Sequence, residues 1–152
     1  MQLHRLFRQQ WVKQPVDIVF PFFERPENLA QITPPELGFE LLTPSPVPMR
    51  MGTLIDYRIR LLGIPVRWTT YIALYDPPRC FVDVQLRGPY SFWHHTHRFE
   101  PKEGGTLITD EVLYALPLGP IGDLAHRFWV RPELQHIFDY RKRRLDLLFN
   151  SP

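Results

Sequence analysis

The 152-residue sequence has one cysteine, Cys80, so it can form neither an internal disulfide nor a cysteine-clustered zinc site. No stretch approaches the ~18 consecutive apolar residues of a transmembrane helix, and stable membrane insertion is not expected. The first twelve residues place Arg5 and Arg8 among apolar neighbours and lack a small-residue cleavage site, so they do not read as a secretory signal. Lysine is scarce: only Lys13, Lys102 and Lys142 accompany the arginines. Net charge is only +2 and the 16 acidic residues are scattered, which gives no support to a nucleic-acid partner. Gly-x-Gly-x-x-Gly, P-loop and Gly-x-Ser-x-Gly patterns are missing, so no nucleotide site, hydrolase elbow or cofactor is signalled. Together these absences point to a cytoplasmic protein in a reducing setting.

What is present suits a packed core. Hydrophobic residues make up 44% and aromatic residues 14%. Proline reaches 17 residues, about twice the usual share. Proline and glycine together stay below the ~25–30% of low-complexity chains, so the prolines punctuate a folded chain. No repeat or linker divides the sequence, and residues 1–152 read as one domain.

Leu3 to Lys13 reads as a strand. Pro15 to Glu24 carries a helix signal that Pro21 should break or kink. Pro26 to Ile32 reads as a second short helix, stopped by Thr33-Pro34-Pro35. From Gly52 the period changes to that of strands. Thr53 to Leu61, Val66 to Tyr75, Phe81 to Arg87, Ser91 to Glu100 and Thr106 to Leu116 are rich in β-branched and aromatic residues. Short punctuators separate them, as in an antiparallel meander. A long helix closes the chain, with Asp123 as candidate N-cap and Phe149 near its end; Pro132 should kink or restart it. Leu124, Phe128, Leu134, Phe138, Leu145 and Leu148 form its apolar stripe. An α+β domain follows, in which a curved antiparallel sheet of about six to seven strands grips the last helix and the two short helices plug one end. Curvature of that kind leaves concave, apolar-lined space, where ligands bind.

The sequence resembles the SRPBCC (START-like, helix-grip) superfamily over nearly its whole length. The likeness rests on Pro15-Val16-Asp17-Ile18-Val19-Phe20-Pro21-Phe22-Phe23-Glu24, Asn28-Leu29 and Thr33-Pro34-Pro35. It continues through Gly88-Pro89-Tyr90, Trp93-His94-His95-Thr96-His97-Arg98-Phe99, Gly105-Thr106, Asp110-Glu111-Val112 and the segment from Pro117 to Gly122. More narrowly, the chain looks like stand-alone bacterial ligand-binding members and like the cyclase-like portion attached to some nucleotide-sugar epimerase-like proteins. The superfamily includes polyketide cyclases, birch-allergen-like proteins and coenzyme Q-binding proteins. The resemblance implies a helix-grip fold with a cavity for a hydrophobic ligand, and no single activity.

Trp93-His94-His95-Thr96-His97 is the most conspicuous chemical motif. On a strand, His95 and His97 share a face with Trp93 and Phe99, which require burial, so both histidines should look inward. Two histidines at this spacing can chelate a metal. A cupin motif nevertheless fails: counting five residues on from Gly88 puts His94 first and Thr96 where the second histidine belongs. No metal is therefore assigned. Register decides which carboxylates approach. A three-residue turn after Arg87 sets Gln85 opposite Trp93 and Asp83 opposite His95; a two-residue turn substitutes Val84 and Val82. Asp110 faces His95 only if residue numbers across the next hairpin sum to 205. An Asp–His pair could fix an imidazole tautomer for acid–base work or serve the structure alone.

The expected cavity lining is Tyr57, Trp68, Gln85, Trp93, His95, His97, Asp110, Tyr114 and Phe128. Arg58, Arg60 and Arg67 read as a solvated strand face. Arg141-Lys142-Arg143-Arg144 reads as a solvated helix face that complements the helix dipole. The expected partner is a small hydrophobic or aromatic molecule: a lipid, a quinone or a polyketide-like compound. One alternative is a cyclase, aromatase or hydratase that uses a cavity histidine. Another is a partner- or membrane-surface module with a filled interior.

Overall fold

The computed structural model describes residues 2–151. Its strands are β1 (His4–Val12), β2 (Glu40–Leu41), β3 (Leu54–Leu61), β4 (Ile64–Asp76), β5 (Cys80–Arg87), β6 (Phe92–Lys102) and β7 (Gly105–Ala115). They form one antiparallel sheet in the order β1-β7-β6-β5-β4-β3-β2. Two hairpins explain why the meander closes so tightly. Leu62-Gly63 and Glu103-Gly104 each link strands through two residues with positive φ, 52° and 77° in the first and 49° and 79° in the second. That geometry matches the right-handed twist of the flanking strands. The turn signal at Gly63-Ile64-Pro65 is therefore shorter than its sequence suggests, and Ile64 and Pro65 already belong to β4. Register shifts at Thr69/Thr70 and Ile72/Leu74 bend β4, and with it the sheet.

Helix α1 (Val16–Phe23) continues through Pro21, contrary to the expected break. It ends only two residues later. Phe20 and Phe23 anchor it against Phe99, at ring separations of 5.2 and 5.1 Å. Pro26–Ile32 is a 3₁₀ helix. With α1 it seals one end of the molecule around Val12, Val19, Phe20, Phe81, Phe99, Ile108, Leu145 and Phe149.

The closing helix has three parts: α2 (Gly119–Ala125), a π-helical segment (His126–Val130) and α3 (Arg131–Phe149). It starts four residues before the expected Asp123 cap. Leu118 turns the chain with φ 72°, and Pro120, which has no N–H to satisfy, suits the first turn. Pro132 marks the expected restart: it stands in the first turn of α3, directly after the π-helical segment. The wide turn before it absorbs the disturbance: the N–H of Arg131 reaches back to the carbonyl of His126. Leu134, Phe138, Leu145 and Phe149 face the sheet. Among the described residues no helix is long and apolar enough to cross a membrane.

Gly122 fixes how closely α2 follows β7. A Cβ there would strike the Pro117 carbonyl oxygen. Gly122→Ala is expected to cost ~1–3 kcal/mol as an overpacked contact, read as a lower melting temperature.

Candidate functional site

The inner faces of β5, β6 and β7 carry a polar cluster in an otherwise apolar wall. Residue pairs across β5 and β6 sum to 178, so Asp83 lies opposite His95, as the three-residue turn requires. Pairs across β6 and β7 sum to 207, not 205, which sets Asp110 opposite His97 and Val112 opposite His95. The side chains then cross this register. His95 bonds to Asp110 (Nε2 to Oδ1, 2.7 Å) and His97 bonds to Asp83 (Nε2 to Oδ2, 2.6 Å). The two imidazoles stack with centroids 3.7 Å apart. Helix α3 closes the cluster with Arg141, whose Nη1 lies 3.4 Å from Asp110 Oδ1 and whose guanidinium sits over Phe138.

Electrostatics fixes the proton positions. Burial pushes the Asp110 carboxyl up, but the His95 hydrogen bond and then the Arg141 charge outweigh it and hold the group well below the usual carboxylate range. Asp83 is likewise lowered: burial opposes ionisation, while His95 and His97 favour it more strongly. An ionised carboxylate only accepts, so Nε2 of each histidine carries the proton and donates it. For His97, burial and then the neighbouring His95 depress the pKa from 6.5 to about 4, against the pull of Asp83. Its Nδ1 is buried without a hydrogen-bond partner, 3.5 Å from Asp110 and out of alignment. Asp83, His95 and His97 do bring one donor atom each within 4.8 Å of one another. Because Nε2 of His97 bonds to Asp83 and Nε2 of His95 to Asp110, the set is a hydrogen-bonded network, and we assign no metal to it.

This cluster forms part of the wall of a cavity of about 360 Å³ between the sheet and the closing helix. Tyr57, Trp68, Trp93, His95 and His97 all border it, as the alternation of their strands indicates. Burial, and then the Asp83 charge, push the Tyr57 phenol far up, so it stays protonated.

Four expected lining residues do not border the cavity. Gln85 folds its amide onto the backbone of Tyr90, donating 2.8 Å to the carbonyl and accepting 3.1 Å from the N–H, and so ties down the β5–β6 turn. Asp110 lies behind His95, held by the histidine and Arg141. Tyr114 is covered by Tyr90 and Trp93, and its hydroxyl pairs with His126 at 2.7 Å. Phe128 is 70% exposed. At 100° per residue the six-residue step to Leu134 already leaves it about 120° off the inward stripe, and the π-helical segment intervenes. Leu124 and Leu148 are exposed as well.

The sequence reading missed Arg141. It is three residues from Phe138 and seven from Leu134, so the inward helical stripe could have flagged it, but it stood hidden in a run of cations. Its side chain is only 11% exposed. Arg58 and Arg67 do lie on a solvated face, paired with Glu40 and Asp56.

No family model matches the sequence, and no curated protein matches it. Solved structures do. An aromatase/cyclase from Streptomyces superposes with a TM-score of 0.75 at 16% identity, covering 95% of this chain and 92% of that one. A major latex-like protein from Panax ginseng gives 0.66 at 14% identity, covering 98% and 99%. A nucleoside-diphosphate sugar epimerase from Corynebacterium glutamicum gives 0.65 at 24% identity, covering 92% of this chain but 28% of that one. The curved sheet wrapped on a long C-terminal helix, shared with these proteins, is the helix-grip fold.

Proposed function

We propose that this chain is a single ligand-binding domain that holds a small, largely apolar molecule between the sheet and the closing helix. The observation that carries this reading is the open cavity of about 360 Å³, walled mainly by aromatic and aliphatic side chains, with the polar cluster, Thr33, Thr70 and Glu133 as the hydrophilic part of its lining. Burial of apolar area supplies most of the affinity, at ~25 cal/mol per Å². The polar groups orient the guest. Lipids, quinones and polyketide-like compounds all fit this description, and the one free cysteine accords with a reducing, cytoplasmic setting.

Native mass spectrometry of protein purified from its own host tests the reading. A co-purifying molecule, or a rise in melting temperature with members of a lipid and quinone panel, is expected. A bare chain that no panel member stabilises would contradict it.

A second reading is an enzyme of the cyclase, aromatase or hydratase type, and one observation favours it. His95 and His97 border the cavity, and each is oriented by a carboxylate, the buried Asp110 for one and the half-buried Asp83 for the other, an arrangement suited to acid–base work. A neighbour in structure is itself described as an aromatase/cyclase. Turnover of a bound guest that His95→Phe abolishes, with binding retained, would select this reading. The partner-binding alternative requires a filled interior, and the open cavity speaks against it.

A further inference from the structure

The guanidinium of Arg141 is nearly enclosed, yet its bonding is incomplete. It offers five N–H donors. Within the protein it has the 3.4 Å approach to Asp110 and the face of Phe138, 5.0 Å from the ring centre. Its Nε is buried with no hydrogen-bond partner. The indole Nε1 of Trp68 is in the same condition. Both residues border the cavity. Leaving a buried donor unmet costs about 1–3 kcal/mol; neither nitrogen opens onto the empty cavity as the side chains stand, so a guest whose oxygen reaches either N–H after a small side-chain shift gains over a pure hydrocarbon.

Charge then separates neutral acceptors from anionic ones. Asp83 and Asp110 are both held as carboxylates, against the single guanidinium. Asp83 borders the cavity itself. An anionic guest would add a third negative charge to a desolvated site, whereas a carbonyl adds none. We propose that the guest carries a neutral carbonyl oxygen, as in a ketone, ester or quinone, and that Arg141 receives it while Trp68 meets a second oxygen where one exists. This inference rests on the cavity being the binding site, as proposed above.

Three compounds with one skeleton test it by calorimetry: ethylnaphthalene, acetylnaphthalene and naphthoate at neutral pH. The ketone is expected to bind at least tenfold more tightly than either the hydrocarbon or the carboxylate. Arg141→Met should erase that advantage and change the hydrocarbon's affinity less than threefold. Trp68→Phe keeps the ring, removes the N–H, and serves if the first variant does not fold; it should weaken a diketone more than the hydrocarbon. Equal binding of ketone and hydrocarbon, tightest binding of naphthoate, or a ketone preference that survives in Arg141→Met would overturn the inference and leave the cavity reading standing. Failure of all three compounds to bind would overturn both.

Discussion

Replacing Asp110 with alanine is expected to destabilise the fold by about 3–5 kcal/mol, the largest loss anticipated for any single substitution in the polar cluster. Asp110 accepts from His95 at 2.7 Å and lies 3.4 Å from Arg141. Its removal strands an imidazole and a guanidinium in a desolvated wall. The cost comes less from the lost bonds than from the charge left without a counterpart. A double variant shows the difference. Asp110→Ala with Arg141→Met removes both charges and should recover part of the loss, so the two effects will not add. Denaturant titration of the four proteins gives the coupling directly. Additive losses would mean that Asp110 and Arg141 do not depend on each other.

The second large effect is a loss of stability in mild acid. His97 is held neutral, with its pKa depressed from 6.5 to about 4. Asp83 and Phe81 from β5, His95 on its own strand and Asp110 from β7 surround it, and Arg141 from α3 reaches Asp110 behind them. Below pH 6.5 the unfolded chain takes up a proton that the folded chain refuses. Stability is therefore complete above pH 6.5 and falls as the pH drops towards 4, by ~3 kcal/mol in all. Asp83 and Asp110 extend the loss further into acid. Both are lowered in the fold, so their contribution is present above the ordinary carboxylate range and disappears as they are protonated. Melting temperatures between pH 4 and pH 8 check this. His97→Gln keeps a donor for Asp83 without titrating, and its curve should be flatter between pH 6.5 and pH 4. An unchanged slope in that variant would assign the acid sensitivity elsewhere.

Much of the architecture was legible because period and punctuation agree. Alternation from Thr53 onward marks strands, and the turn-forming residues between them are too few for anything but neighbouring antiparallel pairs. The inward aim of His95 and His97 followed from Trp93 and Phe99 on the same face. Register was the first limit, because hairpin sums of 205 and 207 both keep Asp110 on the inner face and differ only in which histidine it meets. The crossing of side chains between partners was the second, since it depends on rotamers that no spacing encodes. The two-residue strand β2 and the π-helical segment carry no hydrophobic period at all. Phe128 was misplaced because an apolar residue in a helix reads as inward until the helical phase is fixed by residues known to be buried. Arg141 was misplaced for the opposite reason: a cation reads as outward, although its phase relative to Phe138 turns it toward the sheet.

The account stands on the space between β-sheet and closing helix accepting a guest. Titration with the neutral fluorescent probe phenylnaphthylamine tests this most directly, in the native chain beside Ile137→Trp, which carries an indole into the lined volume. Saturable one-to-one binding by the native chain, lost in a variant that still melts cooperatively, is the predicted result. Binding of equal strength by both proteins, or by neither, would contradict it.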